Sequence, residues 1–151
     1  MKKENKDNMA IYRNNKRVAA RGITFIDDKV ILMKRHRETE NEILDYYTLP
    51  GGGVEEGESF IEAAIRETME ETNVKTEEIS FLLEEDFGEG ICEWFLLKYI
   101  EGTPHLGGEE LEHNRPSNHY EVVLVNVDDI DQYNILGIGK KLIKENYKKK
   151  I

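Results

Sequence analysis

Nine residues from Pro50 to Glu58, PGGGVEEGE, hold four glycines behind a proline, and such a run must bend sharply or approach a neighbour closely. The segment reads as a loop. Directly after it comes the clearest helix start in the chain. Ser59-Phe60-Ile61-Glu62 fits the S-x-x-E capping box, in which the serine accepts from first-turn amides and the glutamate reaches back to the cap. The pattern predicts a helix from Phe60 to about Asn73, a residue that tolerates the left-handed conformation at a helix C-terminus.

The flanks of this segment are rich in strands. RVAARGITFI and KVILMKRH, separated by Asp27-Asp28, read as two antiparallel strands joined by a tight turn. A polar loop, HRETENEILD, leads to a short YYTL strand. Beyond the helix, ISFLLEEDF and CEWFLLKYI read as a pair around Gly88 to Gly90, and HYEVVLVNV as one more strand. Between them EGTPHLGGEELEHNRPSN is a long loop, of the kind that is usually functional or disordered. GIGKKLIKENYKKK, with Leu142, Ile143 and Tyr147 at helical spacing, should close the chain as a helix. Strands interleaved with two helices indicate a mixed sheet covered by helices, an α/β sandwich. Residues 1–16 are polar and aperiodic and read as a tail or weakly attached lead-in, leaving residues 17–151 as one domain.

Composition excludes several classes. With 151 residues the chain is long enough to bury a core, and its single Cys92 rules out an internal disulfide framework. Cys92 lies in an apolar run and reads as a buried thiol rather than a nucleophile. No run approaches the roughly 18 to 20 apolar residues that span a bilayer, and no apolar h-region follows the charged N-terminus, so a soluble, cytoplasmic protein is expected. A net charge of −10 speaks against nucleic acid as a partner, since phosphate backbones are held by clustered lysines and arginines. Acidity still admits a small phosphate substrate if some carboxylates hold a cation.

On the predicted helix Glu67, Glu70 and Glu71 stand at i, i+3 and i+4 and share one face with Ala63. Ile61, Ala64, Ile65, Thr68 and Thr72 form a stripe suited to a sheet. Arg66 projects about 100° from the glutamates and is expected to pair with Glu62 at i−4, leaving their repulsion uncompensated. Two readings stand: an ordinary solvated face, or a site for a hard cation such as magnesium, which prefers carboxylates, water and phosphates. The glycine loop favours the second, because its backbone can turn toward a cation or phosphate with no side chain in the way.

Gly52, five residues, Glu58, seven residues, then Arg66-Glu67-Thr68-Met69-Glu70-Glu71-Thr72-Asn73-Val74 resembles the Nudix box, G-x5-E-x7-R-E-U-x-E-E-x-G-U with U aliphatic. All the charged positions match. Thr68 replaces an aliphatic residue and Asn73 replaces glycine.

The resemblance implies a Nudix-type α/β/α sandwich with a mixed β-sheet, and a hydrolase that cuts the diphosphate linkage of a nucleoside diphosphate derivative. Magnesium, for which manganese substitutes, would be held by Glu67, Glu70 and Glu71 with the Gly51 carbonyl. Arg66 and Glu58 would orient these carboxylates beside Gly52. The general base is expected from the box, Glu67 or Glu71, or from Glu109, Glu110 or Glu112 in the long loop. Arg35 and Arg37, leaving the second strand, are candidates for substrate phosphates. Tyr47, Phe87 and Trp94 could stack on a base, although core packing is the commoner use of such residues. The four histidines lack metal-ligand spacing and are expected at the surface.

The compact chain resembles MutT-like nucleoside triphosphate pyrophosphohydrolases most. ADP-ribose, nucleotide sugars and dinucleoside polyphosphates are the alternatives, and ADP-ribose hydrolases typically have a proline some fifteen residues beyond the box, whereas here no proline occurs between Pro50 and Pro104. A non-catalytic nucleotide sensor is the reading from another class. Homodimers are frequent among proteins of this kind.

Overall fold

The computed structural model describes residues 12–13, 15–105 and 114–148. In chain order the elements are β1 (Tyr12–Arg13), β2 (Lys16–Ile26), β3 (Lys29–Glu38), β4 (Ile43–Thr48), β5 (Gly51–Gly53), α1 (Phe60–Thr72), β6 (Lys75–Asp86), β7 (Gly90–Glu101) and β8 (Asn118–Asn126). A 3-10 helix (Val127–Gln132) and α2 (Gly139–Asn146) follow. The strands form one mixed sheet with the path β4-β3-β2-β7-β6, while β1 and β5 also pair with β2 and β8 pairs with β3.

The centre of the sheet is parallel: β2 runs alongside β7 from Arg17 opposite Gly90 to Phe25 opposite Lys98. Alternate β2 side chains enter two cores. Val18 and Ala20 pack with Ala63, Ala64, Ile91, Phe95 and Leu97 beneath α1. Ile23 packs on the other face with Leu32, Trp94, Val125, Ile130 and the α2 residues Leu142 and Ile143. Burial on both faces is why β2 and β3 read as near-continuous apolar runs, each fully buried aliphatic contributing about 1.5–3 kcal/mol. Among the described residues no helix is long and apolar enough to cross a membrane.

One irregularity opens the sheet. β2 and β3 meet antiparallel only beside their turn, at Phe25–Val30 and Ile26–Lys29, with Asp27 at a φ of 55° that aspartate tolerates. From there they separate. β3 continues between β8 and β4, whereas β2 takes the short strand β5 on its freed edge. A cleft is left between the two arms.

Several boundaries differ from the sequence expectation. Gly51–Gly53 is a strand rather than loop, because glycine brings the backbone within pairing distance of Ala19 to Arg21: a Cβ on Gly51 would stand 2.4 Å from the Ala20 carbonyl oxygen. The HRETENEILD loop shrinks to a turn closed by Thr39 N–H donating to the Glu42 carbonyl at 2.9 Å. The lead-in contains β1, whose Tyr12 and Arg13 pair with Arg17 and Lys16. The 3-10 helix carries no side-chain cap that could have announced it.

Candidate active site

Helix α1 begins as its sequence predicts. The Ser59 side chain accepts from Glu62 N–H at 3.2 Å, and Glu62 Oε1 accepts from Ser59 N–H at 2.8 Å. Glu62 is therefore committed to the cap, and Arg66 turns the other way from the expected i−4 partner. Its Nε donates to Glu58 Oε2 at 2.7 Å, Nη2 to Glu58 Oε1 and the Gly53 carbonyl at 3.0 Å, and Nη1 to Glu67 Oε2 at 3.0 Å and Glu70 Oε1 at 3.1 Å. One guanidinium thus compensates Glu67 and Glu70, two of the three glutamates that helix spacing left uncompensated, and it ties α1 to β5. Ala63, expected on the carboxylate face, is fully buried, because α1 contacts β2, β5 and β6 and so buries a wide arc.

Electrostatics follow this brace. Burial pushes the Glu58 carboxyl up, but the Arg66 hydrogen bond and the Glu55 amide outweigh it and hold Glu58 below the ordinary range. The bond to Glu58 raises Arg66 further. Glu70 is held above the ordinary range, by burial first and also by repulsion from Glu67, against the pull of Arg66.

Glu71 is tied to β5 rather than to Arg66, its Oε1 accepting from the Gly51 amide at 3.1 Å. Gly52 lies against Glu67: a Cβ there would stand 2.7 Å from the carboxylate. The glutamates share one helix face beside β5, yet no three His, Cys, Asp or Glu side chains among the described residues are gathered closely enough to enclose a metal ion. The donors present, carboxylates and backbone next to a hollow that only glycine leaves open, are the hard oxygen ligands magnesium takes.

The cleft between the arms is a cavity of about 290 Å³ beside Glu71 and Gly51. Met33 and Arg35 of β3, Tyr46 and Thr48 of β4, Tyr120 of β8, Arg21 of β2 and Leu136 complete its lining. Arg35 donates to the Tyr120 hydroxyl and, at 2.7 Å, to Asn118 Oδ1, while its guanidinium lies 4.3 Å over the Tyr120 ring. Its Nε is buried without a hydrogen-bond partner. Arg21 Nη1 donates to the Leu49 carbonyl at 2.6 Å. A larger hollow of about 570 Å³, between β7 and the end of α2, has Asp27 as its one carboxylate and none of the α1 glutamates. Of these two hollows the smaller one borders the α1 glutamates, through Glu71.

A family model described as the NUDIX domain matches residues 15–145. The chain belongs to the Nudix family. As a Nudix hydrolase it is a pyrophosphohydrolase, of a family that acts on small nucleotide substrates and generally uses a divalent metal. Among solved structures it is similar to the MutT Nudix hydrolase from Burkholderia pseudomallei, at 24% identity and TM-score 0.66 over 88% of this chain and 98% of that one. It is also similar to a Nudix-family hydrolase from Clostridium perfringens, at 15% identity and TM-score 0.67 over 87% and 95%. A UDP-X diphosphatase matches at 20% identity and TM-score 0.58 over 84% and 59%. These likenesses are of fold, a mixed sheet between helices.

The Nudix box departs from its pattern at two positions. Asn73 takes the left-handed C-cap at a φ of 64°, its N–H donating to the Met69 carbonyl at 2.9 Å, so it serves where glycine is usual. Thr68 is fully buried with its hydroxyl unpartnered.

Of the expected substrate contacts, Arg35 lines the cavity of this Nudix hydrolase and Arg37 does not. Arg37 stands two residues further along β3, exposed and opposite Leu44 and Asn118. Tyr47 packs in the core edge-on to Tyr133 with ring centroids 5.1 Å apart, Trp94 is buried, and Phe87 is exposed beside the β6–β7 turn. Tyr46 and Tyr120 take the places at the cavity, a matter of strand register that YYTL leaves open. Arg21 had one legible signal, a cation in the middle of the apolar strand RVAARGITFI. His36 and His119 are half-buried rather than exposed. Cys92 is buried, and burial pushes its thiol up to about 12. Glu109, Glu110 and Glu112 lie outside the described residues.

Proposed function

We propose that this Nudix hydrolase cleaves a nucleoside triphosphate or its deoxy form to the monophosphate and pyrophosphate, with magnesium. The observation that carries the reading is the pair Arg21 and Arg35. Neither forms a salt bridge among the described residues, in a chain of net charge −10, and both line the cavity beside Glu71. Cations with no carboxylate partner among the described residues of an acidic protein suit an anionic ligand, and guanidinium matches phosphate.

In this reading Glu67, Glu70 and Glu71, with the Gly51 carbonyl, hold the magnesium. Bound there it neutralises phosphate charge and lowers the pKa of water. Arg66 and Glu58 keep the glutamates on their face of α1, and Arg35 and Arg21 hold phosphate oxygens across the cavity. Tyr46 and Tyr120 border the remaining space. Glu67 and Glu71 are the candidates within the box for taking the proton of the attacking water.

The test is product release with magnesium from a panel of nucleoside triphosphates, ADP-ribose, nucleotide sugars and dinucleoside polyphosphates, for the native chain and Glu71→Gln. Turnover of triphosphates by the native chain and its loss in the variant are expected. Equal turnover by both proteins would sink the assignment, a preference for another member of the panel would replace the substrate, and tight binding without turnover would make the chain a sensor.

A further inference from the structure

The substrate wall has a second row of side chains behind it. Tyr46 of β4, Arg35 of β3 and Tyr120 of β8 are directly opposite one another and line the cavity. The next residues along these strands, Asp45, His36 and His119, are likewise opposite one another and face the other side of the sheet. His36 ties this rear row together. Its Nδ1 lies 2.6 Å from Asp45 Oδ1 and its Nε2 2.8 Å from Glu38 Oε2, and its ring stacks on that of His119 with centroids 5.1 Å apart and planes at 27°.

Two carboxylates on two ring nitrogens need two N–H donors, and only the imidazolium has them. A neutral ring would turn a lone pair toward one carboxylate. The charged groups facing His36 are Asp45 from β4, Glu38 and the flanking Lys34 from β3, and His119 and Glu121 from β8. Of these His119 is held separately, with Nδ1 3.0 Å from the Arg115 carbonyl and Nε2 3.8 Å from Glu121. β4 is held by its backbone ladder to β3 and, at Tyr47, by backbone bonds to Asn134 and Leu136; the His36 tie acts at Asp45, two residues before that anchor.

We infer that His36, as the imidazolium, is a positioning residue: by joining Asp45 to Glu38 and stacking on His119 it holds the three strands in the alignment that presents Tyr46, Arg35 and Tyr120 to substrate. This rests on the reading that the cavity receives the substrate. The hydrogen bonds to Glu38 and then Asp45 outweigh burial and raise His36 above its ordinary 6.5. The tie is therefore complete below 6.5 and is lost as pH rises through the raised value.

Two measurements test it on the intact chain. Steady-state hydrolysis of dGTP with magnesium is followed from about pH 6 to about pH 9 for the native enzyme and His36→Gln. The native KM should rise toward that of the variant with increasing pH, so that their ratio shifts several-fold while the kcat ratio stays constant. Without substrate, the backbone amide NMR signals of Tyr46, Arg35 and Tyr120 should titrate together with the His36 ring in the native chain and lose that step in His36→Gln. A pH-independent KM ratio, or amides that do not follow the ring, would overturn the inference. Failure of the native chain to hydrolyse dGTP counts against the triphosphate reading instead, and the amide titration then decides the role of His36 by itself.

Discussion

Gly52 is where β5 and α1 meet at atomic distance, and a methyl group there would stand 2.7 Å from the Glu67 carboxylate. The flexible carboxylate can move aside more cheaply than backbone can. Gly52→Ala should therefore fold with little change in melting temperature while turnover falls about 100-fold, the scale expected when a reacting group is displaced by about an ångström. Parallel calorimetry and product-release assays check it, and an equal loss of fold and activity would count against this account. Thr68 poses the opposite case. Its hydroxyl is fully buried and unpartnered, whereas valine has nearly the same shape and nothing to satisfy. Thr68→Val should raise stability by about 1 kcal/mol, read from the urea midpoint, since an unsatisfied buried hydroxyl costs roughly that much or more.

At the scale of elements, α1 is oriented on β5 by the Arg66 brace to Glu58, Glu67, Glu70 and the Gly53 carbonyl, together with the Glu71 bond to the Gly51 amide. Its pH dependence has a definite sign. Glu58 is held below its ordinary 4.5, so the stability it contributes is present above that value and is lost as pH falls through the lower folded value. Glu58→Gln should be less stable than the native chain at neutral pH, and urea midpoints of the two should converge as the solution is acidified below about pH 4.5. The same brace explains why helix spacing alone misplaced Arg66. An i−4 partner is the nearest choice on an isolated helix, but Glu62 is engaged by Ser59, and Glu58 stands outside the helix, in the loop before its cap, where helix spacing does not place it.

For the whole molecule, ligand linkage gives the broadest check. A cation that binds only the folded chain stabilises it by roughly 2.7 kcal/mol at a hundredfold excess over Kd. Magnesium should raise the melting temperature of the native chain and raise that of a Glu67→Gln, Glu71→Gln double variant much less; equal shifts would argue against these glutamates as ligands. The α1 boundaries, the glutamate face and the box spacing from Gly52 to Val74 were legible in the sequence because each is set by neighbours within about one helical turn or by a contiguous loop. The expected α/β sandwich was legible too, from strands interleaved with helices. Strand register and long-range pairing were not. That Tyr46 rather than Tyr47 meets the cavity, that Arg21 joins Arg35 there, and that β5 is a strand all depend on β2 and β3 parting after two residue pairs. The sequence by itself determined the local chemistry, the capped helix with its carboxylates and the glycines beside it. Only the tertiary structure decided which cations share the cleft with Glu71, because a one-residue slip in a strand exchanges its two faces and nothing within the strand prevents it.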